Sequence, residues 1–120
     1  MSEKLVIMVT RGPEDAELAS LPFSMAGGAI AADLDVVMGF QGQGCLLAKK
    51  GVAETVAAPE FTPLGQLLPM LQEMGVKFLV CSPGMKSRGL TQEDLIDGAE
   101  VVAAGRFVAE VTSATSSLVY

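Results

Sequence analysis

The chain alternates between short unbroken apolar runs and longer stretches in which apolar residues recur every three or four positions. Lys4 to Thr10, KLVIMVT, is the first run. Its β-branched and apolar residues show no polar alternation, which predicts a strand covered on both faces, as in a parallel sheet. Val36 to Phe40 and Val76 to Cys81 read as two more such strands. Glu100 to Ala104 reads as a fourth, although it could also open the next helix, and Ser116 to Tyr120 as a short fifth. Arg11-Gly12-Pro13 ends the first strand. Pro13 suits the first position of a helix, with Glu14, Asp15 and Glu17 near the positive end of the helix dipole. Pro22 predicts a kink in that helix or a restart capped by Ser20. Met25 to Ala32 is mostly alanine and glycine, and Gly27-Gly28 makes the helix dependent on packing.

The next helix is predicted from Thr62 as cap and Pro63 at the first position. Leu64, Leu67, Leu68 and Leu71 form its apolar side, Pro69 bends it and Gly75 stops it. Thr91 to Asp94 resembles a capping box and starts a short helix that ends near Asp97-Gly98. Gly105 to Ala114 is the last helix, with Phe107, Val108 and Val111 as its apolar side. Gln41 to Cys45 reads as a flexible glycine-rich turn, Leu46 to Lys50 as a helical turn ended by Gly51, and Val52 to Phe61 as loop. Strand and helix thus alternate along all 120 residues. The expectation is a single domain, 1–120, of three-layer α/β/α type with a mainly parallel five-stranded sheet and right-handed crossovers.

Composition narrows the chemistry. There is no histidine, which removes Cys-His and Ser-His-Asp catalysis and nearly every zinc enzyme site. No metal and no cofactor are expected: Gln41 to Cys45 matches neither the dinucleotide fingerprint nor the phosphate-binding GK[ST] loop. The net charge is −6 and the longest basic run is Lys49-Lys50, so no nucleic-acid partner is expected. Charges or Gly/Pro interrupt every apolar stretch before membrane-spanning length, and the first ten residues show no signal-peptide pattern. The expectation is a cytoplasmic protein with no membrane partner. A mean hydropathy of +0.45 is high for a small soluble monomer and predicts apolar surface buried between identical subunits.

Two cysteines, Cys45 and Cys81, do not make a disulfide framework. Cys81 ends the third strand and is followed by Ser82-Pro83-Gly84 and by Lys86 and Arg88. Backbone N–H groups and cations favour a thiolate, so Cys81 is a candidate nucleophile; the plainer alternative is a small apolar residue at a strand end. Ligands of open parallel sheets bind beyond the carboxyl ends of the strands. Five of the eight cationic residues, Arg11, Lys49, Lys50, Lys86 and Arg88, are expected beyond that edge and would suit a small anion. Arg11, Lys49, Ser82, Gly84, Lys86 and Arg88 are therefore the candidate anion-binding residues around Cys81. A thioredoxin-type site is not expected, because Gly84 stands where a C-x-x-C motif needs its second sulfur.

The order and spacing of RGPED, LPFSMAGGAIAADLDVVMGFQGQG, LAKKG, VCSPGMKSRGL and EDLIDGAEVVAAG resemble the DsrE/DsrF-like proteins, small α/β subunits of sulfur-relay systems that include the TusD type. The resemblance runs over nearly the whole chain. It implies a cytoplasmic homotrimer or homohexamer with the DsrE-like fold. It also implies a cysteine in the loop after a central strand that carries sulfur as a persulfide between donor and acceptor proteins. Cys81 matches that position. Some relatives have a second cysteine soon after it, where this chain has Gly84, and Cys45 matches no family role. The alternative reading is a non-catalytic oligomeric module of the same fold that binds a small anion or a partner.

Overall fold

A computed structural model of the chain describes residues 3–120. Five strands, β1 (Lys4–Val9), β2 (Asp35–Phe40), β3 (Lys77–Cys81), β4 (Ala99–Val102) and β5 (Ser116–Val119), form one sheet in the order β4-β3-β2-β1-β5. Every pairing is parallel. The helices are α1 (Ala16–Ala31), α2 (Leu64–Glu73), α3 (Ser82–Lys86) and α4 (Ala104–Ser113).

The apolar runs do what a doubly covered strand requires. Leu5, Ile7 and Val9 of β1 face one layer, with Val36, Met38, Phe40, Phe78 and Val80 from its neighbours and with Phe23, Leu64, Leu68 and Leu71 from α1 and α2. The alternate residues Val6, Met8, Val37, Leu79 and Val102 face the other layer, where Phe107 of α4 covers them. The chain steps from β1 through β4 in one direction and then returns across the sheet to β5. Because parallel crossovers are right-handed, reversing the direction moves the connecting helix to the opposite face, and α4 stands there. In the larger core the rings of Phe23 and Phe40 lie 6.1 Å apart and those of Phe40 and Phe78 6.0 Å apart. Each is fully buried and contributes about 2 kcal/mol by apolar burial.

Helix α4 is fixed by one apolar and one polar anchor. Gly39 of β2 has no side chain, and the space it leaves is taken by the Phe107 ring and the Met8 thioether. Glu110, 8% exposed, accepts from Lys4 Nζ on β1 and from Arg106 Nε, each at 2.9 Å. Hydrogen bonds from those two cations hold its carboxyl below the ordinary carboxylate range. Among the described residues no helix is long and apolar enough to cross a membrane.

Several element boundaries differ from expectation. Helix α1 begins after Asp15, whose carboxylate accepts from the Leu18 N–H at 3.0 Å, so Pro13 lies outside the helix. It then runs unbroken through Pro22. Ser20 caps no restart; it is buried inside the helix and donates to the Ala16 carbonyl at 2.7 Å. Helix α2 begins after Pro63 with no side-chain cap, so Thr62 does not cap it, and the helix continues through the exposed Pro69. The Thr91–Asp94 capping box is present but closes only one 3₁₀ turn, Gln92–Asp94. The expected loop Val52 to Phe61 contains a further 3₁₀ turn, Ala53–Thr55.

Two alanine substitutions test this packing. Gly39→Ala places a methyl 2.7 Å from the Phe107 ring and is expected to cost about 1–3 kcal/mol in chemical denaturation. Gly28→Ala meets nothing within 4 Å in α1 and is expected to stabilise by about 0.5–1 kcal/mol, as helix propensity requires.

Candidate functional site around two cysteines

The sheet register aligns three strand ends. Val9 lies opposite Phe40 and Phe40 opposite Val80, so Thr10, Gln41 and Cys81 follow one another along a single carboxyl edge. The glycine-rich sequence lies across this edge. It is not a flexible turn followed by a separate helical turn: Gly42–Ala48 forms one 3₁₀ helix. Its glycines are there for close approach. A Cβ on Gly44 would fall onto the Val9 carbonyl, and a Cβ on Gly12, in the loop after β1, would fall onto the Gln43 carbonyl. Bare backbone packs on bare backbone at both points.

That approach drives Cys45 into the core. Its side chain is fully buried, and its S–H reaches the Phe40 carbonyl at 3.4 Å and the Cys81 carbonyl at 3.9 Å. Burial raises the Cys45 thiol above its ordinary pKa. The charge of the neighbouring Cys81 adds to this, and Arg88 opposes it more weakly. Cys45 is therefore a neutral thiol at physiological pH. Cys81 ends β3 and is a half-buried free thiol packed between both core clusters.

The backbone after Cys81 does not form the expected simple turn. Ser82–Lys86 winds into α3 at once, with Cys81 at its capping position. This brings Gly84 over the cysteines. A Cβ there would stand 2.7 Å from Cys45 Sγ and 3.7 Å from Cys81 Cβ. The bare Cα of Gly84 thus lets the Cys45 sulfur pack against α3, beside the Cβ of Cys81. Arg88 ties the surrounding backbone together: it donates from Nε to Gln43 Oε1 at 2.9 Å and from Nη1 to the Gly84 carbonyl at 3.0 Å.

The structure brings Cys81, Ser82, Gly84 and Arg88 together and adds Cys45 and Gln43, which sequence reasoning did not assign to the site. The available signal was the glycine spacing around Cys45, which announces close backbone contact. Ser82 and the exposed Lys86 border an open depression of about 450 Å³, with Met85, Leu90 and Val101 on its apolar side. Arg11 is exposed in the loop after β1. Lys49 stands elsewhere, bridged through its backbone to Leu95. With Lys50 it faces Asp94, whose carboxyl is held low chiefly by the Thr91 N–H and hydroxyl and secondarily by these lysines.

Gly84→Ala is expected to destabilise the protein by about 1–3 kcal/mol, because its methyl meets the Cys45 sulfur. In a Cys45→Ala background most of that cost should disappear. A double-mutant cycle by denaturation should give a coupling of about 1 kcal/mol or more, and additive effects would contradict the contact.

Comparison with known proteins agrees with this architecture. The family model described as DsrE/DsrF-like matches residues 3–120. The uncharacterized protein MJ0989 of Methanocaldococcus jannaschii is 30% identical over 108 residues, covering 90% of this chain and 91% of that protein. The uncharacterized protein MJ0760 of the same organism is 33% identical over 106 residues, covering 88% of this chain; the chain spans only 38% of that relative's length. The crystal structure of the ychN protein from E. coli superposes with a TM-score of 0.81 at 20% identity, covering 98% of this chain and 99% of that one. MTH1491 from Methanobacterium thermoautotrophicum, a protein of unknown function, superposes with a TM-score of 0.77 at 18% identity, covering 99% and 100%. At these identities the structural likenesses speak for the fold, a parallel five-stranded α/β sheet. With its family match running from residue 3 to the last residue, the chain belongs to the DsrE/DsrF-like family.

Proposed function

We propose that this protein is a sulfur carrier that accepts sulfane sulfur on Cys81 as a persulfide and passes it to an acceptor thiol. The observation that carries this reading is the contrast between its two thiols. Cys45 is sealed in the core, whereas Cys81 is only partly buried at the carboxyl edge of the sheet, where parallel sheets present their ligands. In the loading step the Cys81 thiolate attacks the outer sulfur of a donor persulfide. A new S–S bond forms on Cys81, the donor's S–S bond breaks, and the donor leaves as its thiolate. In delivery an acceptor thiolate repeats the exchange on the outer sulfur. The depression lined by Ser82, Met85, Lys86 and Val101 is a suitable place for a donor or acceptor to rest beside the thiol. Lys86 there, with Arg88 close by, suits an anionic sulfur species. Arg11 is the more distant contributor, and Lys49 contributes least, because its charge faces Asp94. The chemistry needs a reduced Cys81, as a cytoplasm provides.

Assembly into a homotrimer or homohexamer belongs to the same reading. Val108 of α4 is 61% exposed and flanks a shallow groove formed with Met8, Phe107 and Val111. A single helix covers this face of the sheet, and a second copy of the chain would bury what it leaves open.

Incubation with a sulfane-sulfur donor should add one sulfur, about 32 Da by intact mass, reversed by reductant and absent in Cys81→Ser. No gain, together with slow alkylation of Cys81, would favour the non-catalytic anion- or partner-binding reading. Light scattering at micromolar concentration should give a mass of three or more chains, and a clean monomer would rule out the assembly.

A further inference from the structure

We propose a second activity at the same edge, which rests on the sulfur-carrier reading: Cys45 resolves the Cys81 persulfide, releasing sulfide and leaving a Cys45–Cys81 disulfide. The argument is geometric. Nothing in the sequence pairs these cysteines, which are 36 residues apart. The fold nevertheless points the Cys45 sulfur at the backbone of Cys81, with Sγ 3.9 Å from its carbonyl oxygen. Gly84 contributes no side chain here, and the Cys45 sulfur packs directly against its backbone. Both Cys45 Sγ and Cys81 Cβ lie within 4 Å of where a Gly84 Cβ would be. The step requires a rotation about the Cα–Cβ bond of Cys81 that turns its sulfur toward Cys45.

The surroundings also prepare the pair. Cys45 already touches polar backbone atoms, the Phe40 and Cys81 carbonyls, so its thiol proton is oriented. Arg88, clamped to Gln43 and to the Gly84 carbonyl, holds the 3₁₀ segment carrying Cys45 against α3 and sets a cation near Cys45. The reaction starts from two free thiols, as they stand in this structure.

The step balances without an external oxidant. Cys45 loses its proton and its sulfur bonds to Cys81 Sγ; the Cys81–sulfane bond breaks. The outer sulfur leaves with that proton and its own as hydrogen sulfide. The sulfane sulfur gains two electrons, and the two cysteine sulfurs together lose two in forming the disulfide. Two equivalents of a low-molecular-weight thiol then restore both cysteines by exchange. Because burial keeps Cys45 protonated, this resolution is slow compared with attack by an acceptor thiolate. Sulfur is passed on when an acceptor is docked and discharged as sulfide when none is.

The test uses the full chain, glutathione persulfide as donor, removal of excess donor, and no added thiol. In wild type the adduct of about 32 Da should decay with release of one equivalent of sulfide, to a product about 2 Da lighter than the reduced protein. Peptide mapping of that product should join the peptides containing Cys45 and Cys81. In Cys45→Ala the adduct should persist at least about tenfold longer, with no sulfide. An adduct equally stable in both proteins, with no cross-linked peptide, overturns the resolving role and leaves the carrier reading intact. An adduct on neither protein overturns the carrier reading and the resolving role together. If Cys45→Ala fails to fold, oxidation of the wild type with diamide decides: a Cys45–Cys81 cross-link within the monomer supports the pairing, and its absence when Cys81 is oxidised overturns it.

Discussion

The close approach of three backbone segments at the carboxyl edge of the sheet is the constraint on which the site depends. Gly12 lies on the Gln43 carbonyl, Gly44 on the Val9 carbonyl and Gly84 on the Cys45 sulfur. Any side chain at these positions would hold the segments apart by at least a methyl group, and protein interiors do not absorb that without displacing backbone. With the glycines in place, the 3₁₀ segment Gly42–Ala48 closes over the ends of β1 and β2, α3 closes over the end of β3, and the two cysteines are brought to one spot. Arg88 joins the two closures through its bonds to Gln43 and Gly84.

The same edge separates the two thiols by environment. Cys45 enters the larger core, where burial favours the neutral thiol and its hydrogen goes to backbone carbonyls. Cys81 sits where β3 becomes α3, between the two core clusters and partly open to solvent. One cysteine is half-buried at the strand end and the other is fully buried beside its backbone. This asymmetry is why the proposed sulfur acceptance falls to Cys81 and the proposed resolution to Cys45.

Sheet topology explains the uneven covering of the two faces. Helices α1, α2 and α3 and the 3₁₀ segments Gly42–Ala48 and Ala53–Thr55 pack on one face and only α4 on the other, because only the return from β4 to β5 reverses direction. Helix α4 is short. It is held by Phe107 over Gly39 and by the Lys4–Glu110–Arg106 pairing, whereas Val108 stays exposed. The high mean hydropathy of the chain is concentrated in its strands and the first two helices, and part of what remains lies on this thinner face.

The strands and their class were legible because a parallel strand must be apolar on both faces, and KLVIMVT, VVMGF and VKFLV meet that condition locally. Helix termini were less legible. Pro22 and Pro69 are tolerated inside helices whose packing outweighs one missing hydrogen bond, and Ser20 bonds within its own turn rather than capping. Cys81, Ser82, Gly84 and Arg88 were readable as a group because they are neighbours in the chain. Lys49 was placed by rule at the strand edge, but a long-range backbone bridge to Leu95 sets it near Asp94, which no local pattern showed. By itself the sequence determined the alternation and the parallel sheet, which rest on local apolar runs, and the family, which rests on motifs spread along the chain, and it put Cys81 at the end of a strand. Only the tertiary structure decided that Cys45 lies beneath Cys81. That contact depends on glycines in three separate segments letting backbone approach the Gln43 carbonyl, the Val9 carbonyl and the Cys45 sulfur, and no local pattern encodes it.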